Sequence, residues 1–306
     1  MQMSQFSQPQ TVDPDWQLLE PYFAPLKNTE GLSIQDLRAG VAGLIHAMDE
    51  AIPTLSDGLD VQERDISMED GASIKLRTYV PHILNEEEKD GFPLLCWHLG
   101  GGFCTGTLDD DDKRLRRLAL TLRITCTSVA YRLAPEFGYP IPVNDSFSAL
   151  KWALSNTEIL SVNAHKGVLI GGFSAGANIT CAVVQRALKD DSIRPKIRGQ
   201  ILINPAVLAS SAVVPDKWKD RLASIEQQGE GPILTKAHLN LFYNLYLVTD
   251  PVNLSNNTEV SPLLIPSFTG NPPTYIQICG CDPLRDEGVL YNELLQEAGV
   301  STKVHL

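Results

Sequence analysis

Apolar and polar positions along this chain change period several times, and each change marks an element. Leu37, Val41, Leu44, Ile45 and Met48 recur at helical spacing behind Ser33-Ile34-Gln35-Asp36, a start in which hydroxyl and carboxylate can cap the first turn. From about Val61 the period shortens, and Ile74, Leu76, Thr78 and Val80 alternate as in a half-buried strand. Unbroken apolar runs follow at Leu94–Trp97, Ile124–Ala130, Gly167–Ile170, Ile201–Ile203 and Tyr275–Cys279, with helical patterns between them at about 112–122, 143–154, 176–189 and 287–298. Strands without polar alternation are buried on both faces, and helices of this length between them make βαβ crossovers. The pattern predicts an α/β fold with a mostly parallel central sheet flanked by helices.

The alternation is interrupted between Val207 and about Asn256. Trp218 to Gln228 is polar and amphipathic, and Leu239 to Leu247 is unusually aromatic. This stretch reads either as a lid over the carboxyl ends of the strands, packed with the N-terminal helices, or as ordinary core. Taking the lid reading, the chain divides into an N-terminal helical cap segment (1–56), a first part of the core (57–206), a cap insertion (207–256) and a second part of the core (257–306).

With 306 residues, 43% of them hydrophobic, the chain can bury one large core with a smaller lid. No apolar run is long enough to span a bilayer, and Met1 to Gln10 carry no signal-like segment, so a cytoplasmic protein is expected. A net charge of −12 disfavours nucleic acid and anionic membrane surfaces as partners. Of the six cysteines, five fall in or beside expected core elements. Cys279 and Cys281 lack a neighbouring His/Cys cluster, so no zinc site and no cofactor are expected. Asp109 to Asp112, ahead of Lys113 and Arg114, reads as a solvated helix start rather than a calcium loop. The sequons at Asn178, Asn253 and Asn256 are expected to be unglycosylated.

Two glycine-bounded turns carry the candidate chemistry. Gly172-Phe173-Ser174-Ala175-Gly176 stands between a strand and a helix, the setting of a nucleophile elbow. There the serine is pushed out on a sharp turn, and the new helix points free N–H groups at the place where an oxyanion would form. Upstream, Trp97-His98-Leu99-Gly100-Gly101-Gly102-Phe103 ends another core strand, and three successive glycines expose backbone N–H groups to a carbonyl oxygen gaining charge.

With Tyr131-Arg132-Leu133-Ala134-Pro135-Glu136 and Asp282-Pro283-Leu284-Arg285-Asp286-Glu287 these turns form four motifs in a specific order. From about residue 60 onward the chain resembles the hormone-sensitive-lipase-like family of α/β-hydrolases, most of all its fungal carboxylesterase-type members. The resemblance implies the α/β-hydrolase fold with a helical cap, Ser174 as nucleophile and Asp282 as the acid of the triad. It assigns Gly101, Gly102 and Ala175 to the oxyanion hole and gives Arg132, Glu136 and Asp145 bracing roles. Phe103 and Phe173, with the aromatic lid, are expected to line an apolar substrate pocket.

Three departures from the family pattern stand out. Phe173 replaces an acidic residue in the elbow. Leu99 holds the oxyanion-loop His position, with His98 one place earlier and on the opposite strand face. The family's catalytic His follows the acid by roughly thirty residues, and the chain as given reaches Leu306 inside the expected last strand. His305 is the only His beyond Asp282, and it sits mid-strand. The reading is therefore a last strand and final helix left incomplete, in a chain impaired by want of its catalytic His. The expected function is a cofactor-free serine esterase acting on a small to medium carboxylic ester, with a homodimer left open. The alternatives are a non-catalytic binding protein, as in the plant gibberellin receptors of the same family, or lactone, amide or acyl-transfer chemistry on the same site.

Overall fold

The computed structural model describes residues 14–306 apart from positions 17, 19, 22, 24–30, 51 and 232. Its strands are β1 (Leu59–Ser67), β2 (Ser73–Pro81), β3 (Leu94–His98), β4 (Thr125–Ala130), β5 (Val168–Phe173), β6 (Ile197–Ile203), β7 (Thr274–Gln277) and β8 (Thr302–His305). They form one sheet in the order β1-β2-β4-β3-β5-β6-β7-β8. β2 pairs antiparallel with β1 and β4, and every pairing from β4 to β8 is parallel. The expected mostly parallel, helix-flanked sheet is what forms.

β3 shows why the central strands read as apolar runs. Leu94 and Cys96 enter the large cluster beneath the helices Ile141–Ser155 and Ala175–Ala187, while Leu95 and Trp97 enter the cluster beneath the helix Asp112–Leu122. β1 was not legible as a strand, because Gln62-Glu63-Arg64-Asp65 interrupts its apolar positions. Tertiary pairing supplies what the pattern lacks: as an edge strand it is held by β2, with Arg77 on Glu63 at 2.6 Å and Lys75 on Asp65 at 3.4 Å. The expected helix start at Ser33 forms, with the Ser33 hydroxyl donating to Asp36 at 2.7 Å and accepting the Asp36 N–H at 3.1 Å.

Between β6 and β7 lie the helices Asp216–Lys219, Ser224–Gln227, Lys236–Tyr246 and Pro251–Leu254. The aromatic helix belongs to the core as much as it covers it. Tyr243, Tyr246 and Leu247 join the large cluster, and Leu239 packs with Ala206 and Leu284 beside the acid-bearing loop. Each fully buried ring contributes roughly 2–3 kcal/mol of burial, enough to hold this helix down on the loops below it. No described helix is long and apolar enough to cross a membrane.

Candidate active site

Ser174 follows β5 directly, with φ 54° and ψ −116°, a backbone conformation a non-glycine residue holds only where its surroundings impose it. The Ser174 N–H donates to the Ile203 carbonyl at 2.8 Å, and its own carbonyl accepts from Ala177 and Asn178 at 2.9 and 3.1 Å, opening the helix Ala175–Ala187. Gly176 must be glycine because a Cβ there would run into the His98 and Leu99 carbonyls at the end of β3. That close approach sets the elbow against the glycine loop.

The loop itself is tightly wound. The Gly101 carbonyl accepts from the N–H groups of Cys104 and Thr105 at 3.1 and 2.9 Å and from the Thr105 hydroxyl at 3.0 Å. Tyr131 donates its hydroxyl to the Leu99 carbonyl at 2.8 Å. From the N-terminal helix Ile34–Glu50, Arg38 reaches the Cys104 carbonyl at 2.8 Å while gripping Glu136 through both carboxylate oxygens at 2.9 and 2.7 Å. Arg132 is held bidentate by Asp145 at 2.9 and 2.7 Å, with Asp70 on its far side at 2.8 Å. The N–H groups of Gly101, Gly102 and Ala175 donate to no described residue. They remain available to an outside acceptor.

Asp282 stands in the loop after β7, and its Oδ1 accepts the Leu284 N–H at 2.8 Å. Burial pushes its carboxyl up to about 6, because little around it stabilises the charge. The next acids tie this loop to the insertion. Asp286 accepts the Ser224 N–H at 2.7 Å and pairs with buried Arg285 at 2.8 Å, and Glu287 accepts the Val207 N–H at 3.0 Å. Burial drives Glu287 well above the usual carboxylate range.

The imidazoles have other work. His98 is fully buried, with Nδ1 2.9 Å from the Thr180 hydroxyl, and burial lowers its pKa to about 3. It faces the helix Ala175–Ala187, and Leu99 packs in the large cluster that includes residues of the same helix. His238 closes a capping box with Thr235 at the head of the aromatic helix. His305 ends β8, its carbonyl accepting the Ile278 N–H at 2.9 Å. Among the described residues no imidazole hydrogen-bonds Ser174 or Asp282.

Two expectations need correction. Phe103 is not an open pocket wall: it is 1% exposed and stacked on Tyr246 at 3.9 Å between ring centres, because the aromatic helix covers it. Phe173 stays half-buried next to Ser174, packed against the Gly100 position and 5.6 Å under the Arg114 guanidinium. The acidic run stands at a helix start with Asp109 in solvent as expected, but Asp111 and Asp112 are not solvated. Asp111 accepts from buried Trp97 Nε1 at 2.8 Å and pairs with Arg114 at 2.9 Å, and Asp112 holds Arg116 at 2.6 Å and the Tyr79 hydroxyl at 3.0 Å. No group of three or more described His, Cys, Asp or Glu side chains is arranged to hold a metal. Asn178 is likewise fully buried, donating to the Ala206 and Val260 carbonyls at 2.7 and 2.8 Å.

Some site-forming residues carried no sequence signal. Phe242 lies where a Cβ on Gly102 would point, and Arg38 braces the glycine loop from 66 positions away. Contacts at such separation leave no local pattern.

A strained serine after β5, a glycine loop against which its helix start packs and a half-buried carboxyl after β7 define a class. A family model described as alpha/beta hydrolase fold matches residues 94–306, and the chain belongs to that family. Versiconal hemiacetal acetate esterase of Dothistroma septosporum is 32% identical over 269 residues, 88% of this chain and 77% of its own length. Carboxylesterase NlhH of Mycobacterium tuberculosis is 30% identical over 296 residues, 96% of this chain and 85% of its own. Among solved structures, vibralactone cyclase superposes with a TM-score of 0.78 at 30% identity, covering 99% of this chain and 83% of that one.

Proposed function

We propose that this carboxylic ester hydrolase acts on a small to medium ester through an acyl-enzyme on Ser174. The observation that carries the reading is the serine's strained backbone on an elbow packed against the glycine-loop end of β3. Ser174 Oγ attacks the ester carbonyl carbon and its proton passes to an imidazole base. Gly101, Gly102 and Ala175 stabilise the oxyanion, the alcohol leaves with the proton, and water releases the acid. Asp282 orients the imidazole and stabilises its cationic form. That cation in turn favours the carboxylate that burial otherwise opposes. Arg132, Asp145, Arg38 and Glu136 hold the loops rather than touch substrate. The likeness to vibralactone cyclase supports a second fate for the same acyl-enzyme, capture by a hydroxyl of the substrate to close a lactone.

The test is fluorophosphonate labelling together with p-nitrophenyl butyrate turnover, with and without added imidazole. Labelling and imidazole-stimulated turnover are expected in the parent chain and lost in Ser174→Ala, while His305→Ala behaves as the parent. Equal labelling of parent and Ser174→Ala would overturn the assignment of the nucleophile. Loss of activity in His305→Ala would move the base to β8.

A further inference from the structure

Between the insertion and the acid-bearing loop lies a cavity of about 270 Å³. Its wall includes Pro283 and Leu284, directly after Asp282, and Tyr243, whose ring stands 5.5 Å from that of Phe103 at the end of the glycine loop. The acid-bearing loop therefore borders it directly, and Tyr243 stands between it and the end of the glycine loop. Aliphatic side chains make up just over half of the lining, Lys219, Glu226 and Lys236 stand among the rest, and three deeply buried polar residues line it, of which Ser224 is already bonded to Pro283 and Asp286. Tyr243 is 2% exposed, and its hydroxyl has no hydrogen-bond partner among the described residues. Glu287 is 8% exposed and close enough for its charge to disfavour the Tyr243 phenolate. A buried hydroxyl left unbonded costs about 1–3 kcal/mol, so its retention inside a cavity marks a place for a matching oxygen.

We propose that this cavity receives an oxygen-bearing end of the ester, a ketone, hydroxyl or ether oxygen that accepts a hydrogen bond from Tyr243. The inference rests on the ester-hydrolase reading above and narrows it to oxygenated rather than plain alkyl esters. The aliphatic wall takes the carbon chain, and the Tyr243 hydroxyl selects the oxygen. A site built to bond an oxygen disfavours the analogue that lacks it, because its own buried group then stays unpaired.

The full chain carrying Ser174→Ala is titrated calorimetrically with two matched pairs, p-nitrophenyl levulinate against p-nitrophenyl pentanoate and 4-oxopentyl acetate against pentyl acetate. Within each pair one methylene becomes a carbonyl, on the acyl side in the first and the alcohol side in the second. At least one oxo ester is expected to bind about five-fold more tightly than its partner, the worth of one neutral hydrogen bond. Adding Tyr243→Phe, which removes only a hydroxyl that bonds no described residue, should bring that ratio to about one at unchanged thermal melting. Ratios near one in the Ser174→Ala chain, or a preference that survives Tyr243→Phe, would overturn the proposal and leave the hydroxyl a partner for water alone. Turnover of the same esters by the chain with Ser174 intact separates the two readings. Turnover without a Tyr243-dependent preference removes the oxygen site and keeps the hydrolase, whereas the preference without turnover does the reverse.

Discussion

Gly102→Ala offers a sharp test of how the insertion and the glycine loop depend on each other. Gly102 has φ +59°, where an L side chain costs roughly 1–2 kcal/mol, and its Cβ would fall within the Phe242 ring. Forcing that ring and its helix aside adds roughly 1–3 kcal/mol of overpacking. The substitution should therefore cost about 2–5 kcal/mol in total. Only the second part depends on Phe242. In a Phe242→Ala background the cost of Gly102→Ala should fall to about 1–2 kcal/mol, a coupling of the size contacting residues show. Gly101→Ala is the control, since its Cβ would meet the Thr105 backbone, which no side-chain deletion can clear. The measurement is urea unfolding of the parent, both single variants and the double variant, with m-values compared to confirm a common transition. An equal cost of Gly102→Ala with and without Phe242 would refute the contact.

Two further outcomes follow from the buried carboxylates. Asp282 has a folded-state pKa of about 6 against an ordinary 3.8, so the native state holds its proton more tightly than the unfolded chain. Its cost to the fold is absent below about pH 4, grows as pH rises through 6, and levels off near 3 kcal/mol above that. Asp282→Asn should raise the urea midpoint at pH 8 and leave it unchanged near pH 4; equal midpoints at pH 8 would contradict the desolvation of the charge. Asp111→Ala should cost about 1–3 kcal/mol by stranding the Trp97 indole N–H, and millimolar calcium should leave the parent's melting temperature where it is. A calcium-dependent rise lost in Asp111→Ala would restore the acidic run as a cation site.

How much was legible in the sequence depended on whether the cause was local. The apolar runs at Leu94, Ile124 and Gly167 announced strands because a strand buried on both faces excludes polar residues along its own length. The turns at Gly101 and Gly172 were legible because a positive φ or a close backbone approach excludes side chains at those positions. What could not be read was which side chains meet. β1 became a strand through pairing with β2, and Phe103 left the expected pocket because Tyr246, far along the chain, stacks on it. Asp111 and Asp112 gave up solvent for Trp97, Tyr79 and Arg77 on other elements, beside the local pairs with Arg114 and Arg116 on their own helix. Arg38 found Glu136, and Tyr243 came to stand beside Glu287, only once the insertion and the N-terminal helix had closed over the sheet. A backbone restriction is paid within a few residues and so marks the local sequence; packing between distant elements is decided by the folded shape, and single positions carry no trace of it.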